Sequence, residues 1–220
     1  MPGLICWSDE VKLFHFLWVC LASSLTAGET KALFNGKDLV GWSFDVIDGK
    51  TKLEEVWSVK DGILICKGRP PAVIRTLEEY ADYELIIEWQ WAPGGKAPNS
   101  GVLVHASKPR EMHVWPKSIE VQLRSGDAGD FWVIGETLQV EGSTPEGRRW
   151  VNKSDSAEKP VGEWNTMKIR CEKNTLKVWV NDVLVNAAKA LSATKGAICL
   201  QSENDEIHFR KVELTPIASK

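Results

Sequence analysis

The chain has 220 residues, 43% of them hydrophobic, a formal net charge of −3 and a pI near 5.9. That length and hydrophobic content suit one domain with a core of ordinary size. No basic surplus is present to neutralise phosphates, so nucleic acid is not an expected partner.

Leu13–Ala22 is an apolar run of the length of a signal-peptide core, followed by the small residues Ala22, Ser24 and Ala27. It is too short to span a bilayer, so no stable membrane insertion is expected. Asp9 and Glu10 offset Lys12 ahead of the run; translation beginning at position 11 would restore a basic leader. Residues 1–27 are therefore read as an export signal and 28–220 as one domain, periplasmic or extracellular. Cys6 and Cys20 fall in the leader. Cys66, Cys171 and Cys199 each lie in a strand-like run and read as small core residues rather than a disulfide framework. No Cys-x-x-Cys pair suggests structural zinc.

Beyond Lys31 the chain reads as strand after strand. Leu39–Val46, Gly62–Lys67, Tyr83–Trp91, Val102–Ala106, Ser118–Arg124, Phe131–Ile134, Thr166–Cys171, Leu176–Val180, Ala197–Gln201 and Ile207–Leu214 are rich in Val, Ile, Trp and Phe and bounded by turn residues. Asn181-Asp182 is a two-residue hairpin turn. Asn186–Ala193 hints at one short helix. Residues 91–100 and 142–160 are long polar loops. Many short strands with close turns imply an all-β sandwich or jelly roll.

Ser118–Arg124 alternates strictly: Ile119, Val121 and Leu123 face one way, Ser118, Glu120, Gln122 and Arg124 the other. The polar face carries a carboxylate and an amide about 7 Å apart, with Trp115 and Trp132 nearby in sequence. Eleven Trp against two Tyr would suit a Trp-rich core, or a partner with flat apolar faces such as a pyranose ring.

Leu33-Phe34-Asn35-Gly36-Lys37-Asp38-Leu39 with Gly41-Trp42, Asn99-Ser100-Gly101, Trp115-Pro116-Lys117-Ser118-Ile119-Glu120-Val121-Gln122-Leu123, Gly162-Glu163-Trp164-Asn165, and Gly196–Glu203 with Phe209-Arg210 follow one another in fixed order. Together they resemble the 3-keto-disaccharide hydrolase domain family, over roughly Ala32 to Pro216. The resemblance implies a concanavalin A-like jelly-roll sandwich of two antiparallel sheets that holds ligands on its concave face. It also implies secretion by a bacterium, and a glycoside whose C3 hydroxyl has been oxidised to a ketone.

Glucanases of this sandwich class resemble E-x-D-x-x-E on the corresponding strand; here it reads Glu120-x-Gln122-x-x-Ser125. An ordinary retaining glycosidase needs two carboxyl groups about 5–5.5 Å apart and an inverting one about 6.5–9.5 Å. This strand supplies only one, and a second, such as Asp130 or Glu203, has to come from elsewhere. A 3-keto sugar asks for different chemistry. Its ketone acidifies the C2–H, a base removes that proton, the C1 substituent leaves by β-elimination, and water adds to complete hydrolysis. Glu120 is the expected base, and His105 is expected to stabilise the enolate or to bind a metal. Gln122, Trp115, Asn99, Lys117, Trp132 and His113 are the expected substrate contacts. No H-x-H or H-E-x-x-H spacing assigns a metal, and no cofactor is assigned. Arg210 reads as a structural clamp on a carboxylate.

Two rival readings use the same residues. A non-catalytic carbohydrate-binding module requires an open aromatic platform. A surface interaction domain requires that face to be filled. The enzyme requires a buried Glu120 with a shifted pKa.

Overall fold

The computed structural model describes residues 28–94, 98–154 and 157–218. The expected export signal lies outside them. The chain runs through β1 (Lys31–Ala32), β2 (Trp42–Val46), the short helix α1 (Leu53–Val56), β3 (Trp57–Lys60), β4 (Ile63–Cys66), β5 (Ala72–Thr76), β6 (Tyr83–Trp91), β7 (Gly101–Ala106) and β8 (Ser118–Gln122). It continues through β9 (Phe131–Ile134), β10 (Gln139–Val140), β11 (Arg149–Trp150), β12 (Asn165–Glu172), β13 (Thr175–Val180), β14 (Val183–Lys189), β15 (Ala197–Ser202) and β16 (Ile207–Pro216).

The strands form two antiparallel sheets. A nine-stranded sheet has the order β10-β14-β13-β12-β6-β16-β4-β3, with β1 also on β16; a seven-stranded sheet has the order β11-β9-β8-β7-β15-β5-β2. In β6 (YELIIEWQW) buried and half-buried positions alternate without a break, because alternate side chains point to opposite faces. Leu85, Ile87 and Trp89 thereby meet Val102, Val104, Ile119 and Val121 of the other sheet in one apolar core.

Each expected strand overlaps an observed one. Asn181 and Asp182 both take positive φ, 47° and 68°, as the turn between β13 and β14 requires. The expected helix at Asn186–Ala193 is not formed. Asn186, Ala187 and Ala188 pair with Val178, Lys177 and Leu176 and extend β14 to Lys189. Pairing with β13 overrides the helical propensity of an Ala-rich run. Cys66, Cys171 and Cys199 are free and buried, and burial pushes each thiol up to about 12.

Candidate functional site

The two sheets treat their outer faces differently. On the nine-stranded sheet the central strands are half-exposed at every second residue. On the seven-stranded sheet β7, β8 and β15 are buried at every position. The polar side of β8 is therefore not an ordinary solvated surface.

Part of that outer face is filled. Val73, Leu103, Ala106, Ile134, Ala197 and Cys199 form a second apolar cluster, covered by Val114 and Trp115. The covering segment is tied down by Arg110, whose guanidinium donates to Asp45 at 3.0 and 2.6 Å and to the Val46 carbonyl at 2.8 Å. Trp115 keeps only 6% of its surface. It packs as the plug of this cluster and offers no free ring to a sugar, contrary to the sequence expectation.

The rest of the face is polar. Glu120 stands opposite Leu103 on one side and Trp132 on the other. Its side chain turns along the sheet to lie over Gly101. A methyl group on Gly101 would fall 2.6 Å from Glu120 Oε1 and 2.7 Å from Gln201 Oε1. The glycine thus opens the space in which these two oxygens converge. Gln201 is fully buried, and neither of its amide atoms has a hydrogen-bond partner; Asn99 Oδ1 and Trp132 Nε1 are likewise buried and unpartnered. Two residues beyond Gln201, Glu203 pairs its backbone with Asn99.

Burial, and next the charge of Glu203, push the Glu120 carboxyl up to about 8, while the Gln201 amide and the Arg148 charge act in the opposite sense. Burial also raises Glu203 above its ordinary value. Glu120 consequently keeps its proton at neutral pH.

Arg148 lies with its guanidinium 5.5 Å from the centre of the Trp132 ring, a cation–π arrangement that covers one face of that ring. Asp130, fully buried, is taken up by structure. Its oxygens accept from Arg149 Nε at 2.6 Å, from the Asn152 amide at 2.6 Å and from Asn152 Nδ2 at 2.9 Å.

Of the residues expected from sequence, Glu120, Asn99 and Trp132 are brought together. Gln122 shares the face, but its Oε1 accepts from the Leu123 and Arg124 amides at 2.9 and 2.8 Å. It braces the end of β8, and that oxygen is not free for a ligand. Lys117 pairs with Glu136 at 3.5 Å, beyond the opposite end of β8. His113 is exposed on a left-handed turn between Met112 and Trp115.

His105 lies away from this group. The β7–β15 register slips so that three steps from Leu103 to Ala106 match two from Cys199 to Ala197, and His105 takes a φ of 52° in this bulge. Its ring is fully buried, bonds the Ala193 carbonyl through Nδ1 at 2.9 Å, and packs edge-on 5.9 Å from Tyr83 of the opposite sheet. Burial lowers its pKa. It belongs to the core between the sheets, not to the face that carries Glu120.

Gln201, Glu203 and Arg148 complete the group. The trace left in the sequence is Gln201-x-Glu203, which mirrors Glu120-x-Gln122 at the same two-residue spacing. Arg210 is a clamp, but on Glu88 rather than on Glu203, with its guanidinium 4.5 Å from the Trp164 ring. Among the described residues no cluster of three His, Cys, Asp or Glu could hold a metal ion, and no helix is long and apolar enough to cross a membrane.

Residues 29–215 match the family described as the 3-keto-alpha-glucoside-1,2-lyase-like domain. Among solved structures, the chain is similar to a provisionally assigned glycosyl hydrolase from Parabacteroides distasonis, at 22% identity and a TM-score of 0.64, over 86% of this chain and 94% of that one. It is similar to the carbohydrate-binding module CBM66 from Bacillus subtilis, at 13% identity and a TM-score of 0.58, over 79% and 94%. It is also similar to a Bacillus licheniformis β-glucanase, at 12% identity and a TM-score of 0.54, over 89% and 99%. These likenesses establish the concanavalin A-like sandwich. No curated protein matches the sequence.

Proposed function

The chain belongs to the 3-keto-alpha-glucoside-1,2-lyase-like domain family, and from that premise we propose that it cleaves the C1–O bond of 3-keto-glycosides on the outer face of the seven-stranded sheet. The reaction is elimination across C1 and C2, completed as hydrolysis when water adds. The observation that carries the reading is Glu120: a buried carboxyl held over Gly101 among buried amide and indole groups that the fold leaves unpaired. Buried polar groups without partners cost stability, and a polar ligand with several hydroxyl and carbonyl oxygens would satisfy them. Gln201 Nε2 and Trp132 Nε1 are the donors available to such oxygens.

Because Glu120 keeps its proton at neutral pH, its role in this scheme is to protonate the leaving oxygen rather than to act as the base expected from sequence. The carbohydrate-binding module is the weaker reading. Trp115 is buried and one face of Trp132 lies under Arg148, so the aromatic platform that such a module needs is not open. Export is part of the proposal and rests on the Leu13–Ala22 run.

The test is to incubate the domain with a 3-keto-disaccharide and, separately, with the unoxidised disaccharide, and to follow release of the reducing sugar. Release from the oxidised substrate alone is expected, since only the ketone makes the C2 proton removable. Comparable turnover of both would replace this reading with ordinary acetal hydrolysis by a carboxyl pair.

Gly101→Ala should lower turnover of the keto substrate on the order of 10²-fold, the cost of displacing a reacting group by about 1 Å. The new methyl meets Glu120 Oε1 and Cγ and Gln201 Oε1, so both buried side chains must shift and the melting temperature should fall as well, with the rate falling further than the folded fraction. Unchanged kinetics in Gly101→Ala would show that the placement of Glu120 over this glycine is immaterial.

A further inference from the structure

Outside its backbone pairing with Asn99, Glu203 is unexplained by the fold. Among the described residues its carboxylate has no ion pair and no hydrogen bond. It is half-buried, and its charge reaches Glu120. A structural carboxylate that has been drawn out of water normally has a cation or several N–H donors, as Asp130 does here. Between the two glutamates stands Gln201, fully buried with both amide atoms unpartnered. Two carboxyl groups and an unsatisfied amide therefore share one face, and nothing in the described fold uses them.

We propose that Glu203 is the second catalytic carboxylate of this site, the base that removes the C2 proton while Glu120 protonates the departing oxygen. The inference rests on the 3-keto-glycoside reading above and divides its two proton movements between two named groups. In the first movement the ionised Glu203 takes the proton from C2, and the C–H electron pair becomes the C2=C3 double bond of the enolate. In the second the ketone re-forms, the pair moves to make C1=C2, and the C1–O bond breaks with its electrons on oxygen, which takes the Glu120 proton. Addition of water runs the same transfers backwards: Glu120 accepts a proton from the water that attacks C1, and Glu203 returns its own to C2. The pair ends in its starting state, so no further reactant is needed.

The order of ionisation agrees with these roles. Burial is the sole cause of the rise at Glu203, whereas the rise at Glu120 includes the negative charge of Glu203. Glu203 is only half-buried and keeps contact with water that the buried Glu120 lacks, which favours its ionised form, and its charge helps Glu120 to keep a proton.

The experiment compares wild type, Glu203→Gln and Glu120→Gln on two 3-keto-glucosides. One has a sugar as leaving group; the other has 4-nitrophenolate, which departs without being protonated. Exchange of the C2 proton in D2O is followed by NMR in parallel. Glu203→Gln is expected to lose ~10²–10⁴-fold in rate on both substrates and to stop exchanging the C2 proton. Glu120→Gln is expected to lose activity on the sugar leaving group, to regain it on the nitrophenyl substrate, and to keep exchanging. Glu203→Asp, which keeps a shorter proton acceptor, should retain part of the rate. The inference is overturned if folded Glu203→Gln works within about tenfold of wild type, or if the nitrophenyl leaving group rescues it. If wild type itself cleaves neither keto substrate, the underlying reading fails, and that result is distinct from a selective defect of the variants.

Discussion

Glu120→Gln is expected to lose ~10²–10⁴-fold in turnover of a 3-keto-disaccharide and, at neutral pH, to melt at a higher temperature than wild type. The two effects have one cause. In the folded chain the carboxyl is pushed from its usual 4.5 up to about 8, so between those values the native state binds a proton that the unfolded state has released. Stability then falls as pH rises through that window, by an amount on the order of a few kcal/mol at its upper end. Gln has the shape of the protonated acid without its titration, so the variant should not show this loss. Its advantage over wild type should be absent near pH 4 and full above pH 8. In wild type the same group makes the rate decline as pH passes about 8, because the ionised Glu120 has no proton for the leaving oxygen. Thermal melts from pH 4 to 9, run beside kinetics, check both. A Glu120→Gln variant that melts lower than wild type at every pH, with activity in proportion to folded protein, would make Glu120 a structural residue.

What could be read from the chain follows from how local each signal is. The alternation of Ser118–Gln122 and the turn at Asn181-Asp182 need only neighbouring residues, and both are met in the fold. The period-2 rule also puts Asn99, Gly101, Leu103 and His105 on one face of their strand, and it holds for the first three. It failed four residues beyond Gly101, at His105, because a single extra residue in a strand reverses every side chain after it and leaves no mark in the hydrophobic pattern. The burial of Trp115 is hidden from the sequence for a different reason. Its burial depends on the 107–117 segment folding back over Leu103 and Cys199 and being held there by Arg110 and Asp45. Glu203 was visible as a lone carboxylate, but its nearness to Glu120 depends on β7 lying between β8 and β15. Strand order in such a sandwich is not written in any one stretch of sequence.

Arg149→Met should be among the most destabilising single changes in the domain, since it strands a buried charge beside the site. Asp130 is fully buried, and its Oδ2 depends on Arg149 Nε at 2.6 Å. The same guanidinium donates to Asp127 at 2.8 Å and so closes the turn that leads from β8 into the Trp132 strand. Removing one partner of a buried pair typically costs ~3–5 kcal/mol, because the other charge is left without compensation. For a chain of this size that is a fall in melting temperature of about 10 °C. Burial already raises the Asp130 carboxyl, and loss of Arg149 would raise it further, so the variant should recover part of its stability as pH is lowered. The double variant Asp130→Asn/Arg149→Met separates charge from packing. It removes the stranded charge while keeping an oxygen for the Asn152 amide, and should regain most of what the single variant loses. The consequence for the site follows from the backbone, where the Asp130 carbonyl accepts from the Gln122 amide at 2.9 Å and fixes the end of the Glu120 strand. Restored stability in the double variant should therefore bring back turnover of the keto substrate. If the double variant is no more stable than Arg149→Met, the loss lies in the packing of the guanidinium rather than in the uncompensated Asp130 charge.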